Sequence, residues 1–290
     1  MAGTGGTGAD ARTGRRRRPQ QLLLALLGTF VVDRRDEPVA SRVFIDLLGD
    51  LGVGEMATRA TLSRMVDREL LEKRKEGRVA VFGLTSSAER MLRDASERVR
   101  SRTPFTPSED TWTLFTFSLP ESRREVRDQL RARLVWAGFG CLRDGLWIAP
   151  GRADLERVVS GTPLAEAVAE SGGFVAQPLP TTPMAAFVER AWDLTALRAE
   201  HDHFQRSWST GRTPEGNAAT QLTSLTADWL HLLRTDPGLP TRYLPADWPS
   251  AKSSDTYWHL WNRLEKAAYT AFDELVASAA PPGGSRASRT

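Results

Sequence analysis

The sequence predicts an α+β multidomain chain, and three observations carry that prediction. Residues 19–103 order helical apolar stripes, a glycine turn and a basic hairpin. Residues 110–180 alternate strand and helix patterns, and residues 184–278 show only helical stripes rich in tryptophan. At 290 residues the chain is long enough for two or three domains with real cores.

Residues 1–18 are glycine-rich and polar and end in the run Arg15, Arg16, Arg17 and Arg18, so they read as a disordered basic arm. That run suits a solvated tail and an extra polyanion contact equally. Pro19 then fits the first turn of a helix over residues 20–30, which is leucine-rich and buried. The apolar run at 22–27 is far too short to span a bilayer and is soon followed by Asp33, Arg34, Arg35 and Asp36. Export and membrane insertion are therefore not expected, and the cytoplasm is the expected location. Cys141 is the single cysteine, which excludes an intrachain disulfide and a Cys-based zinc site.

Ser41 is the expected N-cap of a second helix over 42–51, with Val43, Phe44, Leu47 and Leu48 at helical spacing. Gly52, Val53 and Gly54 form a tight turn, and a third helix covers 55–69. Its inner face is expected to be Thr58, Leu62, Met65 and Val66, its outer face Arg59, Ser63, Arg64 and Asp67. Residues 70–75 and 78–84 flank a Glu76-Gly77 turn as a β-hairpin, and Thr85 or Ser86 caps a helix reaching about Val99. Helix, helix, glycine turn, helix, basic hairpin is the order of a winged helix-turn-helix.

Charge supports this reading. Residues 1–103 hold 20 Arg and Lys against 14 Asp and Glu, whereas the remainder holds 19 against 22. The positive field therefore sits at one end, as expected for a polyanion-binding module on a neutral or acidic body. The third helix is narrow enough for the major groove, where Arg59, Ser63 and Arg64 reach base edges. Lys73, Lys75 and Arg78, with Arg74, surround a glycine turn that lets the backbone approach phosphates. Ser41, Arg42, Thr58 and Arg68 complete the expected DNA-facing set. A winged helix used for protein contacts is the competing reading.

Residues 102–110 carry Pro104 and Pro107 and read as a linker. A strand at 112–117, a charged helix at 121–136, a hairpin across Asp144-Gly145, a helix from 154 to 159 or as far as 170, and a strand at 173–178 give the order βαββαβ. That is a ferredoxin-like unit, whose exposed sheet edge or face suits homodimerisation. A metal-dependent nuclease or RNA-processing enzyme is the alternative, but the carboxylates are scattered and no nucleophile–base–orienter set stands out in the sequence, so catalysis is not expected.

The helical part spans 184–278, with residues 279–290 expected to be a disordered tail. One long helix is expected to carry Phe187, Ala191, Leu194, Leu197, His201, Phe204 and Trp208, and a second Leu222, Leu225, Trp229 and Leu232. A proline-rich loop at 236–249 precedes a third stripe from Tyr257 to Leu275. His201 and His203 lie two apart on one helix, too divergent to share a metal ion, and His201 sits where a satisfied core histidine belongs.

Residues 20–85 resemble the winged helix of the PaaX-like family of phenylacetate-catabolon repressors. The resemblance lies in Gln20-Gln21-Leu22-Leu23, in Arg59-Ala60-Thr61-Leu62-Ser63-Arg64-Met65-Val66 and in the hairpin closing at Leu84-Thr85. The loop Asp236-Pro237-Gly238-Leu239-Pro240, continuing to Leu244-Pro245-Ala246-Asp247-Trp248-Pro249, is similar to that family's most distinctive segment, and Trp192-Asp193-Leu194 also fits. The resemblance implies a cytoplasmic homodimeric repressor that binds double-stranded operator DNA, needs no cofactor, and is released by a small-molecule effector of the aryl-acyl-CoA thioester class. The chain departs from the pattern where His201 stands ahead of Phe204 instead of a tyrosine, and in its polyarginine extension. The expected effector-binding residues are Trp192, Arg198, His201, Phe204, Trp208 and Arg242, as aromatic walls and phosphate-binding cations.

Overall fold

The structure is a computed structural model that describes residues 17–105, 110–159, 171–209 and 216–279. Most of the expected N-terminal arm, the middle of the linker, the extension of the 154–170 helix beyond residue 159 and the tail after residue 279 lie outside the described residues.

Helix α1 (Pro19–Phe30) starts on a proline and is apolar on nearly every side, so Leu22, Leu23, Leu26, Leu27 and Phe30 are all buried. A two-residue strand that the sequence does not announce, β1 (Val39–Ala40), runs directly into α2 (Ser41–Asp50). The N-cap is therefore Ala40, whose backbone is still extended in β1, and Ser41 is the first helical residue, buried and making no capping bond. Helix α3 (Glu55–Asp67) follows, then β2 (Leu71–Glu76) and β3 (Val79–Leu84). The three strands form an antiparallel sheet in the order β1-β3-β2. Thr85, not Ser86, caps α4 (Ser86–Arg100), accepting from the Ala88 amide at 3.2 Å.

The central segment runs β4 (Trp112–Thr116), α5 (Arg124–Trp136), β5 (Gly140–Arg143), β6 (Leu146–Pro150), α6 (Leu155–Val159) and β7 (Gly172–Ala176). Its antiparallel sheet has the order β5-β6-β4-β7, with Leu114 opposite both Ile148 and Phe174. Alternation gives the sheet two faces. Phe115, Phe117, Trp147 and Ala149 pack on Leu130 and Leu134 of α5 and Val158 of α6. Trp112 and Ile148 pack instead on Met184, Val188, Leu197 and Leu239.

The single long helix expected from Phe187 to Trp208 is two: α7 (Met184–Ala191) and α8 (Leu194–Trp208). Trp192 is extended, and Asp193 caps α8 by accepting from the Ala196 amide at 2.9 Å. The apolar spacing runs through the break because both helices bury the same side. Gly140 sits under the junction, where a Cβ would lie 2.6 Å from the Trp192 ring and 2.7 Å from the Ala191 carbonyl. Helices α9 (Ala218–Thr235) and α10 (Ser250–Ala279) complete the chain, α10 being about 45 Å long.

The interior crosses the boundaries drawn from sequence. Leu22, Leu26, Phe30, Phe44 and Leu47 share one continuous core with Leu222, Leu225, Trp229, Tyr257 and Phe272. The N-terminal helices thus pack on α9 and α10, while the central sheet keeps its own two clusters.

Candidate nucleic-acid interface

Helix α3 has one buried and one open side. Thr58, Thr61, Leu62 and Met65 are buried; Met56, Ala57, Arg59, Ala60, Ser63, Arg64 and Asp67 are exposed. Val66, expected on the inner face, is half-buried. The sequence places Thr58 among the DNA-facing residues, but it turns inward and donates its hydroxyl to the Gly54 carbonyl at 3.3 Å. Ser41 is buried beneath the same unit and Arg42 pairs with Asp46 at 2.8 Å. The outer arginines are held lightly. Arg59 pairs with Glu55 at 2.8 Å, and Arg64 donates to the Thr61 hydroxyl at 2.9 Å. Exposed pairs of this kind contribute little stability, so a phosphate or base edge displaces them at small cost.

Beside α3 the β2–β3 hairpin carries Lys73, Arg74 and Lys75 opposite Phe82, Val81 and Ala80. Gly77 at its tip has φ +61°, the left-handed region that a glycine enters without strain. Arg74 pairs with Glu72 at 2.8 Å. Among the described residues Arg68, Lys73, Lys75 and Arg78 are exposed and have no carboxylate partner. Arg17, at the end of the expected arm, forms a two-pronged pair with Asp228 of α9, at 2.7 and 2.6 Å.

Two cavities adjoin this unit. One of about 680 Å³ lies beneath the α2–α3 turn and is lined by Asp46, Asp50, Gly52, Glu55, Asn217 and Leu275. The other, about 370 Å³, is lined by Phe30, Asp33, Arg34, Arg35, Tyr269, Phe272 and Asp273, with Arg34 stacked over Tyr269 at 3.5 Å. Neither contains any of the six expected effector residues. No helix among the described residues is long and apolar enough to cross a membrane. No group of three or more His, Cys, Asp or Glu among them is placed to hold a metal ion.

Comparison with known proteins settles the family. Three family models match in chain order: the PaaX-like protein model over residues 18–88, the PaaX central Cas2-like domain over 106–170, and the PaaX-like C-terminal domain over 192–274. The chain belongs to the PaaX-like family. It is 26% identical over 233 residues to the transcriptional repressor PaaX of Escherichia coli (strain K12), spanning 77% of this chain and 73% of that protein. The uncharacterized protein Rv0674 from Mycobacterium tuberculosis has a similar fold, with a TM-score of 0.58 at 22% identity over 89% of this chain and all of that one.

In this PaaX-like chain the six expected effector residues line neither cavity, and of them Arg198 and His201 lie against the same Trp248 ring. Trp192 donates its indole N–H to the Gly138 carbonyl at 3.3 Å, Arg198 pairs with Asp247 at 2.8 Å, and Arg242 pairs with Asp110. Phe204 packs in the core against Trp229, and Trp208 donates to Asp228 at 2.9 Å. His201 is fully buried, its Nε2 2.7 Å from Asp236 Oδ2 and its Nδ1 2.9 Å from Ser253 Oγ. A carboxylate only accepts, so Nε2 carries a proton, and Nδ1 and the Ser253 hydroxyl share the second hydrogen bond.

This Ser–His–Asp set links the residue types of an acyl-transfer triad with the ring nitrogens exchanged, the carboxylate on Nε2 and the hydroxyl on Nδ1, and its members lie 35 and 52 residues apart, so nothing local in the sequence announces it. Its surroundings differ from those of a catalytic site. His201 and Ser253 are wholly inaccessible, and Gln205 also donates to Ser253 Oγ at 3.1 Å. Asp236 Oδ1 accepts from the Gly238 amide at 2.7 Å, and the Asp236 carbonyl accepts from Arg98 of α4 at 3.0 Å. The set fastens the proline loop to α4, α8 and α10.

Proposed function

We propose that this chain is a homodimeric transcriptional repressor whose N-terminal unit reads operator DNA and whose effector is an aryl-acyl-CoA-like thioester. The order α1, β1, α2, α3, β2, β3 supports a winged helix-turn-helix, with α3 as the groove-reading helix and the hairpin as the wing. The observation that carries the reading is the open side of α3, with Arg59, Ser63 and Arg64, standing next to a hairpin whose Lys73, Lys75 and Arg78 have no carboxylate partner among the described residues. The likeness to a transcriptional repressor supports the same reading.

The central strand order supports a ferredoxin-like unit. Its edge strand β7 exposes Phe174 and Val175, a surface suited to a second copy. The effector class rests on the family resemblance. Of the two cavities, the one with Phe30, Tyr269, Phe272, Arg34 and Arg35 offers aromatic walls and cations, with Asp33 and Asp273 beside them, whereas the other is lined by Asp46, Asp50 and Glu55.

The test is salt-dependent binding to a DNA sequence selected by the protein from a random pool. The double substitution Arg59→Ala and Arg64→Ala is expected to weaken specific binding at least about tenfold. Lys73→Ala and Lys75→Ala are expected to weaken all sequences alike and lower the salt slope by about 1 each. Sedimentation of the same protein should give a dimer, and phenylacetyl-CoA should release the DNA. Binding unchanged by the Arg59/Arg64 pair would remove α3 from the reading, and release by no aryl-acyl-CoA would remove the effector.

A further inference from the structure

The line down the middle of the open side of α3 is apolar at its leading end. At about 100° per residue, positions 56, 60 and 63 fall on one line diametrically opposite the buried Thr58, Leu62 and Met65, with Arg59 and Arg64 to either side. Met56 stands at the start of that line with 84% of its surface exposed, and Ala60 is exposed one turn on. Such a side chain on a surface helix serves no packing role here. Yet it stands at the N-terminal end of α3, the end that approaches base edges when such a helix docks.

In the major groove one base offers an apolar group, the 5-methyl of thymine, and apolar side chains contact it. Arg59 and Arg64 flank the apolar line, and the hairpin of the same unit adds Lys73, Lys75 and Arg78, which matches a polyanionic partner and disfavours an apolar protein surface. We infer that Met56 and Ala60 determine sequence specificity by contacting thymine methyl groups, which Arg59 and Arg64 flank with polar contacts. This rests on the DNA-reading role proposed above. It adds residues that the sequence reading left out, and it fixes the chemistry of the base they read.

The experiment uses the full chain and the DNA sequence it selects from a random pool, with each thymine replaced in turn by deoxyuridine, which removes only the methyl. One or two positions in each half-site are expected to weaken wild-type binding about fourfold, the loss of one buried methyl group. Met56→Ala should bind those thymine sites more weakly than wild type and lose sensitivity to deoxyuridine at one of them, and Ala60→Ser should do so at the neighbouring one. Met56 is exposed, so thermal unfolding of the variant should match wild type. If the selected sequence tolerates deoxyuridine everywhere, or if Met56→Ala keeps every deoxyuridine penalty, this inference is wrong while DNA reading stands. If no sequence is enriched at all, the DNA-reading proposal fails and this inference with it.

Discussion

Stranding a buried polar group costs more than its bond is worth, and His201 is the residue where that asymmetry is sharpest. His201→Ala leaves the Asp236 carboxylate without its 2.7 Å donor and the Ser253 hydroxyl without its 2.9 Å ring partner, both inside the protein. The expected loss is about 3 kcal/mol, read as a lower urea midpoint at unchanged slope. His201→Gln, which keeps a donor, should recover part of it. A loss below about 1 kcal/mol would show that water takes the place of the ring. The position of His201 on an apolar stripe already marks it as a satisfied core histidine. Its partners were illegible, because nothing local in the sequence points from residue 201 to residues 236 and 253. Thr58 shows the converse error: a polar residue at the start of a DNA-facing helix reads as a contact, although its hydroxyl can satisfy itself on the Gly54 carbonyl and face the core.

Helices α2 and α3 end in the same way with different residues. After α2, the Val53 amide bonds the Leu48 carbonyl at 2.9 Å and the Gly52 amide bonds Gly49 at 2.9 Å, with Gly52 at φ +78°. After α3, the Leu70 amide bonds Met65 at 2.9 Å and the Glu69 amide bonds Val66 at 2.8 Å, with Glu69 at φ +57°. Both are Schellman caps, and only the second forces a side chain into the left-handed region. Glu69→Gly should therefore stabilise the protein by about 1 kcal/mol, raising the thermal midpoint; an unchanged or lower midpoint would mean that the Glu69 side chain makes compensating contacts. The glycine turn after α2 was legible in the sequence. The α3 cap was not, because a glutamate carries no turn signal. Nor was β1, since two residues leave no period to read, nor the break at Trp192, since the apolar spacing continues across it. The succession of strands and helices in the central segment, with its hairpin at Asp144-Gly145, was legible from alternation and the turn signal; the order in which the strands lie side by side was not.

Across the whole molecule, the chain folds back so that its first helix and its last share an interior. Phe30 of α1 stacks on Phe272 of α10 at 4.6 Å and meets Tyr269 edge-on at 5.5 Å. Arg35 pairs with Asp273 at the rim. Sequence periodicity shows which face of each helix is apolar but not which other face it meets. A boundary drawn at the linker therefore separates elements that bury one another. Helix α1 and the α2–α3 unit cannot cover their apolar sides without α9 and α10. A change in the C-terminal helices can therefore reach α3 through packing alone, the route that the effector-driven release proposed above requires. The consequence is measurable in stability. Phe272→Ala removes a fully buried ring and should cost about 3–5 kcal/mol. Hydrogen exchange should show the α1 amides losing protection together with those of α10, although the substitution is some 240 residues away from them in the chain. The central strands, with clusters of their own, should lose far less. If α10 loses protection while α1 keeps it, the two ends fold independently.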